Sequence, residues 1–264
     1  MGRQTMNPST NLLLLALAVH ASGVVASLNC DKVAGSMVQV DAGNGQVFGV
    51  NAAGDTFTIH NLIWTQLPGQ FLHVTVGAAG VWAVSTNNQP FKMIGGDWAR
   101  TKGEKIKQLD AGGDGFLAAV SGNSEVFCLR HKETVAAKYH TVLPWARIEG
   151  TLKYYSCGPK SCWGVNATDS IYYRSGTRRG ACSGTQWQVV EGKLSMIEVG
   201  SEGSVYGVTS LGDLYHRTGI SDDNPVGTGW AQLEYKSHKF RHVSEDLDRL
   251  WLVTNDQKIY SCAL

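Results

Sequence analysis

The stretch Trp187-Gln-Val-Val-Glu-Gly192-Lys-Leu-Ser-Met-Ile-Glu-Val-Gly200-Ser-Glu-Gly-Ser-Val-Tyr-Gly-Val-Thr-Ser-Leu-Gly-Asp-Leu-Tyr-His-Arg217 decides the fold of this 264-residue chain. It opens with a short apolar strand led by Trp187 and passes a glycine turn at Gly192. Two alternating strands follow, at 193–199 and 205–209, and another at 214–217 after a Gly-Asp turn. Apolar and polar residues alternate at period two, the pattern of strands with one buried face. The turns use Gly, Asp, Asn and Ser, which supply positive φ and local side-chain-to-backbone bonds. No helical stripe is expected after the N-terminal segment.

Near-copies of this unit run through the chain. Trp64, Trp98, Trp145, Trp187 and Trp230 each open a short apolar strand. Gly69, Gly103, Gly150 and Gly192 stand five residues after the first four, and Tyr235 after the fifth. Cys30 with Gly35 fits the same frame, so Cys30 fills a sixth tryptophan slot. Steps between these markers are 34, 34, 47, 42 and 43 residues. A second aromatic column, Phe57, Phe91, Phe127, Tyr172, Tyr215 and Tyr260, follows strands at 47–51, 81–85, 117–121, 163–166, 205–209 and 250–254. Two columns in one register establish a repeat.

A four-stranded unit of about 40 residues cannot bury both its faces alone. Six such units placed radially cover one another, which predicts an all-β, six-bladed β-propeller. The run before each hairpin, such as 37–41 or 193–199, is expected innermost and the tryptophan strand outermost. The last unit then has strands near 238–243, 250–254 and 258–262 and takes its outer strand from 30–34. The N-terminal strand would thus close the ring and place Cys30 beside Cys262. A disulfide across so long a loop is worth about 4–5 kcal/mol by the loop-entropy account.

The six cysteines, an even number in a chain read as secreted, point to three disulfides. Cys157 and Cys162 flank one inner hairpin, which leaves Cys128 for Cys182. A zinc site lacks a second close ligand pair. Arg3, the apolar run 12–19 and the small residues 21–27 describe a secretory signal peptide over 1–27, with the propeller over 28–264. The apolar run is shorter than the roughly 20 residues of a membrane span, and no later segment reads as one. A formal net charge of +1 argues against nucleic acid as a partner.

The pattern W-x-x-L/V-x-G, an apolar strand, a glycine-rich turn, V/W-W/F/Y-G/A-V-N/S/T and L/I-Y/F resembles the tectonin repeat over 28–264. With the signal peptide and cysteine arrangement, the chain is similar to the tectonin-repeat lectins, among them the fish-egg lectins and, more distantly, horseshoe-crab tachylectin-1. The resemblance implies a six-bladed propeller that binds N-acetylglucosamine-type glycans, bacterial lipopolysaccharide or egg glycoproteins. It carries over no binding residue by motif. Asn88-Gln-Pro90 and Glu245-Asp-Leu-Asp-Arg249 depart from the repeat's turns.

Catalytic signatures are missing from the sequence. It contains no G-x-S-x-G elbow, Walker loop, H-E-x-x-H or S-x-D-x-G-x-x-W box. Gly113, Gly115 and Ala118 mimic a dinucleotide loop but join two strands. His60, His73, His131, His140, His216, His238 and His242 are scattered over different units. Tryptophan can stack on sugars, yet its identical repeat positions favour packing between blades. Sugar ligands are expected instead on the loops of the face that carries the inner hairpins. The candidates are Asn44, Asp114, Glu202, Arg174, Arg178 and Arg179; solvated turn residues are the plain alternative for each. Asn166-Ala-Thr168 is a glycosylation sequon.

The expected function is a secreted, non-catalytic lectin in innate defence or egg protection, with no assigned cofactor. Calcium, metal sites, the sugar and the oligomeric state are left open. The alternative is a secreted scaffold for protein partners, and a hydrolase ranks third.

Overall fold

The computed structural model describes residues 26–264. The signal-peptide reading falls almost wholly outside the described residues. Only Ala26 and Ser27 of it are seen, as an exposed strand β1 (Ala26–Ser27). The chain continues through β2 (Asn29–Val33), β3 (Gln39–Gly43), β4 (Gln46–Val50), β5 (Asp55–His60), β6 (Ile63–Gly77), β7 (Gly80–Ser85), β8 (Pro90–Ile94) and β9 (Asp97–Arg100). Next come β10 (Ile106–Asp110), β11 (Leu117–Ser121), β12 (Glu125–Leu129), the helix α1 (His131–Ala136) and β13 (Ala146–Thr151). β14 (Tyr154–Cys157), β15 (Cys162–Val165), β16 (Ser170–Arg174) and β17 (Trp187–Lys193) precede β18 (Met196–Val199), β19 (Val205–Val208), β20 (Leu214–Thr218) and β21 (Gly229–Glu234). β22 (Phe240–Asp246), β23 (Arg249–Thr254) and β24 (Ile259–Ala263) end it.

Antiparallel meanders dominate, as tight Gly/Asn/Asp turns dictate. The fold is an all-β propeller. Its inner segments touch in cyclic order, β3 to β6, β10, β14, β18, β22 and back to β3. The hydrogen bonds do not divide into six separate sheets, however. β10–β13, β14–β17 and β22–β24 with β2 form four-stranded sheets, and β18–β21 carries β1 as a fifth strand. β3–β9 form one seven-stranded sheet. In it the 15-residue β6 pairs with β5 through Gln70 and with β7 from Phe71 onward. No turn interrupts the chain there, so one strand ends one unit and begins the next.

Two further expectations need correction. The helix α1 was not foreseen; its Thr134 hydroxyl donates to Gly115 O at 2.8 Å, fixing the long loop over the β10–β11 hairpin. Lys193 belongs to the outer strand β17, and the inner strand starts at Met196. Gly192, at φ +102°, shifts the register between Ile171 and Ser170 and prolongs the tryptophan strand.

The N-terminal β2 pairs with the C-terminal β24, with Cys30 opposite Cys262. The disulfides are Cys30–Cys262, Cys128–Cys182 and Cys157–Cys162. Neighbouring sheets share no ladder near the axis, so side chains satisfy backbone donors there. Asp41 accepts from Val76 N at 2.6 Å and Asp110 from Cys157 N at 3.1 Å. Thr75, Ser156 and Ser244 hydroxyls accept from Ala111, Val199 and Ala42 N–H groups, each at 2.9 Å. Carboxylates and hydroxyls thus alternate around the ring.

Candidate functional site

The tryptophan and glycine columns prove to be two halves of one joint. The glycine of one unit lies under the tryptophan of the next. A Cβ on Gly150 would stand 3.4 Å from Trp187 Nε1, and one on Gly192 would stand 3.3 Å from Trp230 Nε1. Both glycines hold positive φ, near +100°, which disfavours any side chain. With the backbone bare, Trp187 Nε1 donates to Glu149 O at 2.7 Å and Trp230 Nε1 to Glu191 O at 2.9 Å.

An arginine supports each ring. The Arg174 guanidinium lies 4.9 Å from the Trp187 ring centre and that of Arg217 lies 5.1 Å from Trp230, within cation–π range. Arg174 forks onto the Glu149 carboxylate and donates from Nε to Ser183 O; Arg217 does the same with Glu191 and Val226 O. Hydrogen bonds from these arginines hold the Glu149 and Glu191 carboxyls below the usual range. Both rings are therefore fixed by a hydrogen bond at the edge and a cation against the face.

Beside each ring is a pocket of about 230 Å³. Trp187, Tyr172, Asn166, Gly150, Thr151 and Leu152 line one. The other has Trp230, Tyr215, Thr209, Gly192, Lys193 and Leu194 in the equivalent places, with Ile171. Each is smaller than the roughly 300–1,000 Å³ of drug-sized ligand sites, a size suited to one sugar ring. Each combines an apolar aromatic wall with hydroxyl and amide or ammonium groups at the rim. That set matches a pyranose, which has one apolar face and a girdle of donors and acceptors.

Apart from Arg174, the residues expected from sequence lie elsewhere, in two separate groups. Asn44 and Glu202 line an axial cavity of about 330 Å³ with Asp41, Asp110, Glu198 and Asp246. Burial raises Asp41 to about 6 and pushes Asp110 and Glu198 up as well. Asp114 and Arg179 form an ion pair at 2.9 Å between the β10–β11 hairpin and the β16–β17 loop. Arg178 is exposed in that same loop. Arg174 needs correction: it is 3% exposed, and its donors are taken by Glu149 and Ser183. It positions Trp187 rather than facing solvent. Among the described residues no cluster of three or more His, Cys, Asp or Glu is arranged to hold a metal ion.

A family model described as the tectonin domain matches residues 36–255. The chain belongs to the tectonin family. A fish-egg lectin from Cyprinus carpio is 41% identical over 238 residues, covering 90% of this chain and 99% of the relative. Among solved structures, a calcium-binding protein, regucalcin, from Agrobacterium tumefaciens matches with a TM-score of 0.63 at 9% identity, over 90% of this chain and 94% of that one. Virginiamycin B lyase from Staphylococcus aureus matches with a TM-score of 0.55 at 15% identity, over 84% and 78% of the two chains. At those identities the likeness speaks for the propeller alone.

In this tectonin chain, the sequence favours packing for Trp187 and Trp230 and does not single out Tyr172 and Tyr215, because their columns run through every unit. The signal that sets them apart is local. Only these units have Glu before the column glycine, Arg two residues after the aromatic, and Tyr with a following Trp.

Proposed function

We propose that the chain is a secreted, non-catalytic lectin whose Trp187 and Trp230 pockets each take one N-acetylglucosamine-type sugar. The duplicated pocket carries this reading: one aromatic-and-hydroxyl arrangement appears twice on a single framework, fixed both times by an Arg–Glu pair. Where both pockets are open, two sites on one rigid body favour ligands that repeat a sugar, because the second contact is made at high effective concentration. Bacterial surface polysaccharides, lipopolysaccharide and egg glycoproteins are such ligands, and defence of the egg is the role that follows. The fish-egg lectin relative supports the reading as a lectin.

The ring is best counted as six blades, with β6 shared by two of them, because the inner segments follow one another in a closed cycle. Pairing of β2 with β24 and the Cys30–Cys262 bond supports closure by the N-terminal strand. Removal of residues 1–27 on export and a propeller over 28–264 complete the reading. Titration with N-acetylglucosamine, followed by tryptophan fluorescence, tests the function. In protein made without N-glycosylation, saturable quenching that W187A and W230A reduce separately is expected; no response to any amino sugar would remove it.

A further inference from the structure

The two pockets differ at two paired positions, Thr151 against Lys193 and a rim position on the turn after the second strand. Thr209 occupies the rim position beside Trp230, and Asn166 beside Trp187. Asn166 begins the turn between β15 and β16, with Ala167 and Thr168 exposed. Its Oδ1 is fully engaged, accepting from Thr168 N at 3.0 Å, Thr168 Oγ1 at 3.0 Å and Ser170 N at 2.9 Å. Lys193 Nζ fixes the turn from the paired strand β17, donating to Thr168 O at 3.0 Å and to Ser170 Oγ at 2.9 Å.

Asn166 Nδ2 has a single partner, the Tyr172 hydroxyl at 3.3 Å, which lines the same pocket. A primary amide carries two hydrogens. One suffices for Tyr172, so the other is free for substitution, and whatever replaces it starts at the pocket rim. Asn166-Ala-Thr168 meets the N-x-S/T acceptor pattern. The equivalent positions do not: Asn51 is followed by Ala52 and Ala53, and Ser85, Ser121, Thr209 and Thr254 have no amide.

We infer that Asn166 carries an N-linked glycan whose first N-acetylglucosamine covers the Trp187 pocket, leaving the Trp230 pocket as the open one. Transfer from a lipid-linked oligosaccharide pyrophosphate forms the Nδ2–C1 bond and breaks the donor's C1–O bond. The lipid pyrophosphate leaves, and one amide proton is lost. The remaining N–H keeps the bond to Tyr172, which directs the sugar along the aromatic wall. The inference rests on the reading of export and of sugar-sized pockets given above. It makes the glycan an internal ligand that sets the number of open sites.

The test uses the full chain secreted from a eukaryotic host, with N166Q and T168A from the same host. Glycopeptide mass spectrometry is expected to find the glycan on Asn166 and on neither variant. Hydroxyl-radical footprinting is expected to label Trp187 several-fold less in the glycosylated protein than in T168A, with Trp230 unchanged. N-acetylglucosamine titration should then count one site in the glycosylated chain against two in T168A. An unmodified Asn166 in the secreted protein, or equal labelling of Trp187 with and without the glycan, overturns the inference. If no form binds sugar, the lectin reading fails, while mass and footprinting still decide this one.

Discussion

Trp187 and Trp230 occupy the same repeat position as Trp64, Trp98 and Trp145, yet the two groups are built differently. The first pair donate their indole N–H groups to backbone carbonyls and rest on Arg174 and Arg217. The other three have buried indole N–H groups with no partner. They pack in clusters with Ile59, Met93 and Leu129, which stand where the arginines would be. Their aromatic neighbours are Phe57, Phe91 and Phe127, without the hydroxyl of Tyr172 and Tyr215. In the second of these units Phe71 crowds the space, 4.7 Å from Trp98, where Leu152 and Leu194 leave a pocket. All five rings are half-buried against a core cluster, so one repeat position carries an apolar joint in the first half of the chain and a polar-supported one in the second. Polar support at the ring makes the difference.

Substitutions should separate the two groups. W98A removes a half-buried ring packed against Phe71 and is expected to cost about 3 kcal/mol in denaturant unfolding, with the sugar affinity of the folded protein unchanged. An affinity loss there would merge the groups. Opening the ring with C30S/C262S should cost a comparable amount, about 5 kcal/mol by the loop-entropy account, and leave both pockets intact. Unchanged unfolding midpoints would show that strand pairing alone closes the propeller.

Smaller effects sharpen the contrast. In protein lacking the Asn166 glycan, Y172F and Y215F should each weaken sugar binding at one pocket by about 1 kcal/mol, the worth of one hydrogen bond. F57Y should leave binding unaltered. Equilibrium titration of single-pocket variants reads this out, and equal losses at all three positions would contradict it.

The axis contributes a pH signature unrelated to sugar. Burial depresses His73 to about 4 and His242 to about 3, and raises Asp41 to about 6. As pH falls from 6.5, the unfolded chain takes up protons at both histidines before the folded one does, so stability is lost. From about 6 down to 3.8 the folded chain protonates Asp41 first, so stability is gained, and the two effects offset. D41N removes the second, and its stability should fall more steeply between pH 6 and 4, by an added amount on the order of 2 kcal/mol. Urea unfolding at pH 7 and pH 4 checks this; parallel profiles for the two proteins would contradict it.

Much of the architecture was legible in the residues, because the repeat forces radial packing and period-two alternation marks its strands. The offset that puts Cys30 in a tryptophan slot also foretold that the last sheet borrows its outer strand from the N-terminus. Continuity of β6 was hidden, since Gly69 reads as a turn where it only bends a strand. The pockets were hidden for a deeper reason. Each joins residues of two successive units, and its meaning rests on Gly150 meeting Trp187, a contact 37 residues away that no single unit displays. Arg174 shows the opposite error. A charged residue beside a long loop reads as a ligand, whereas the structure stacks it beneath a ring.

The central claim is that sugar is held against Trp187 and Trp230 and not against the other column tryptophans. Indole N–H resonances of the T168A protein, followed through an N-acetylglucosamine titration, test it most directly. The account predicts saturable shifts of the Trp187 and Trp230 signals, with those of Trp64, Trp98 and Trp145 still. Shifts confined to those three, or none at any tryptophan while sugar binds, would contradict it.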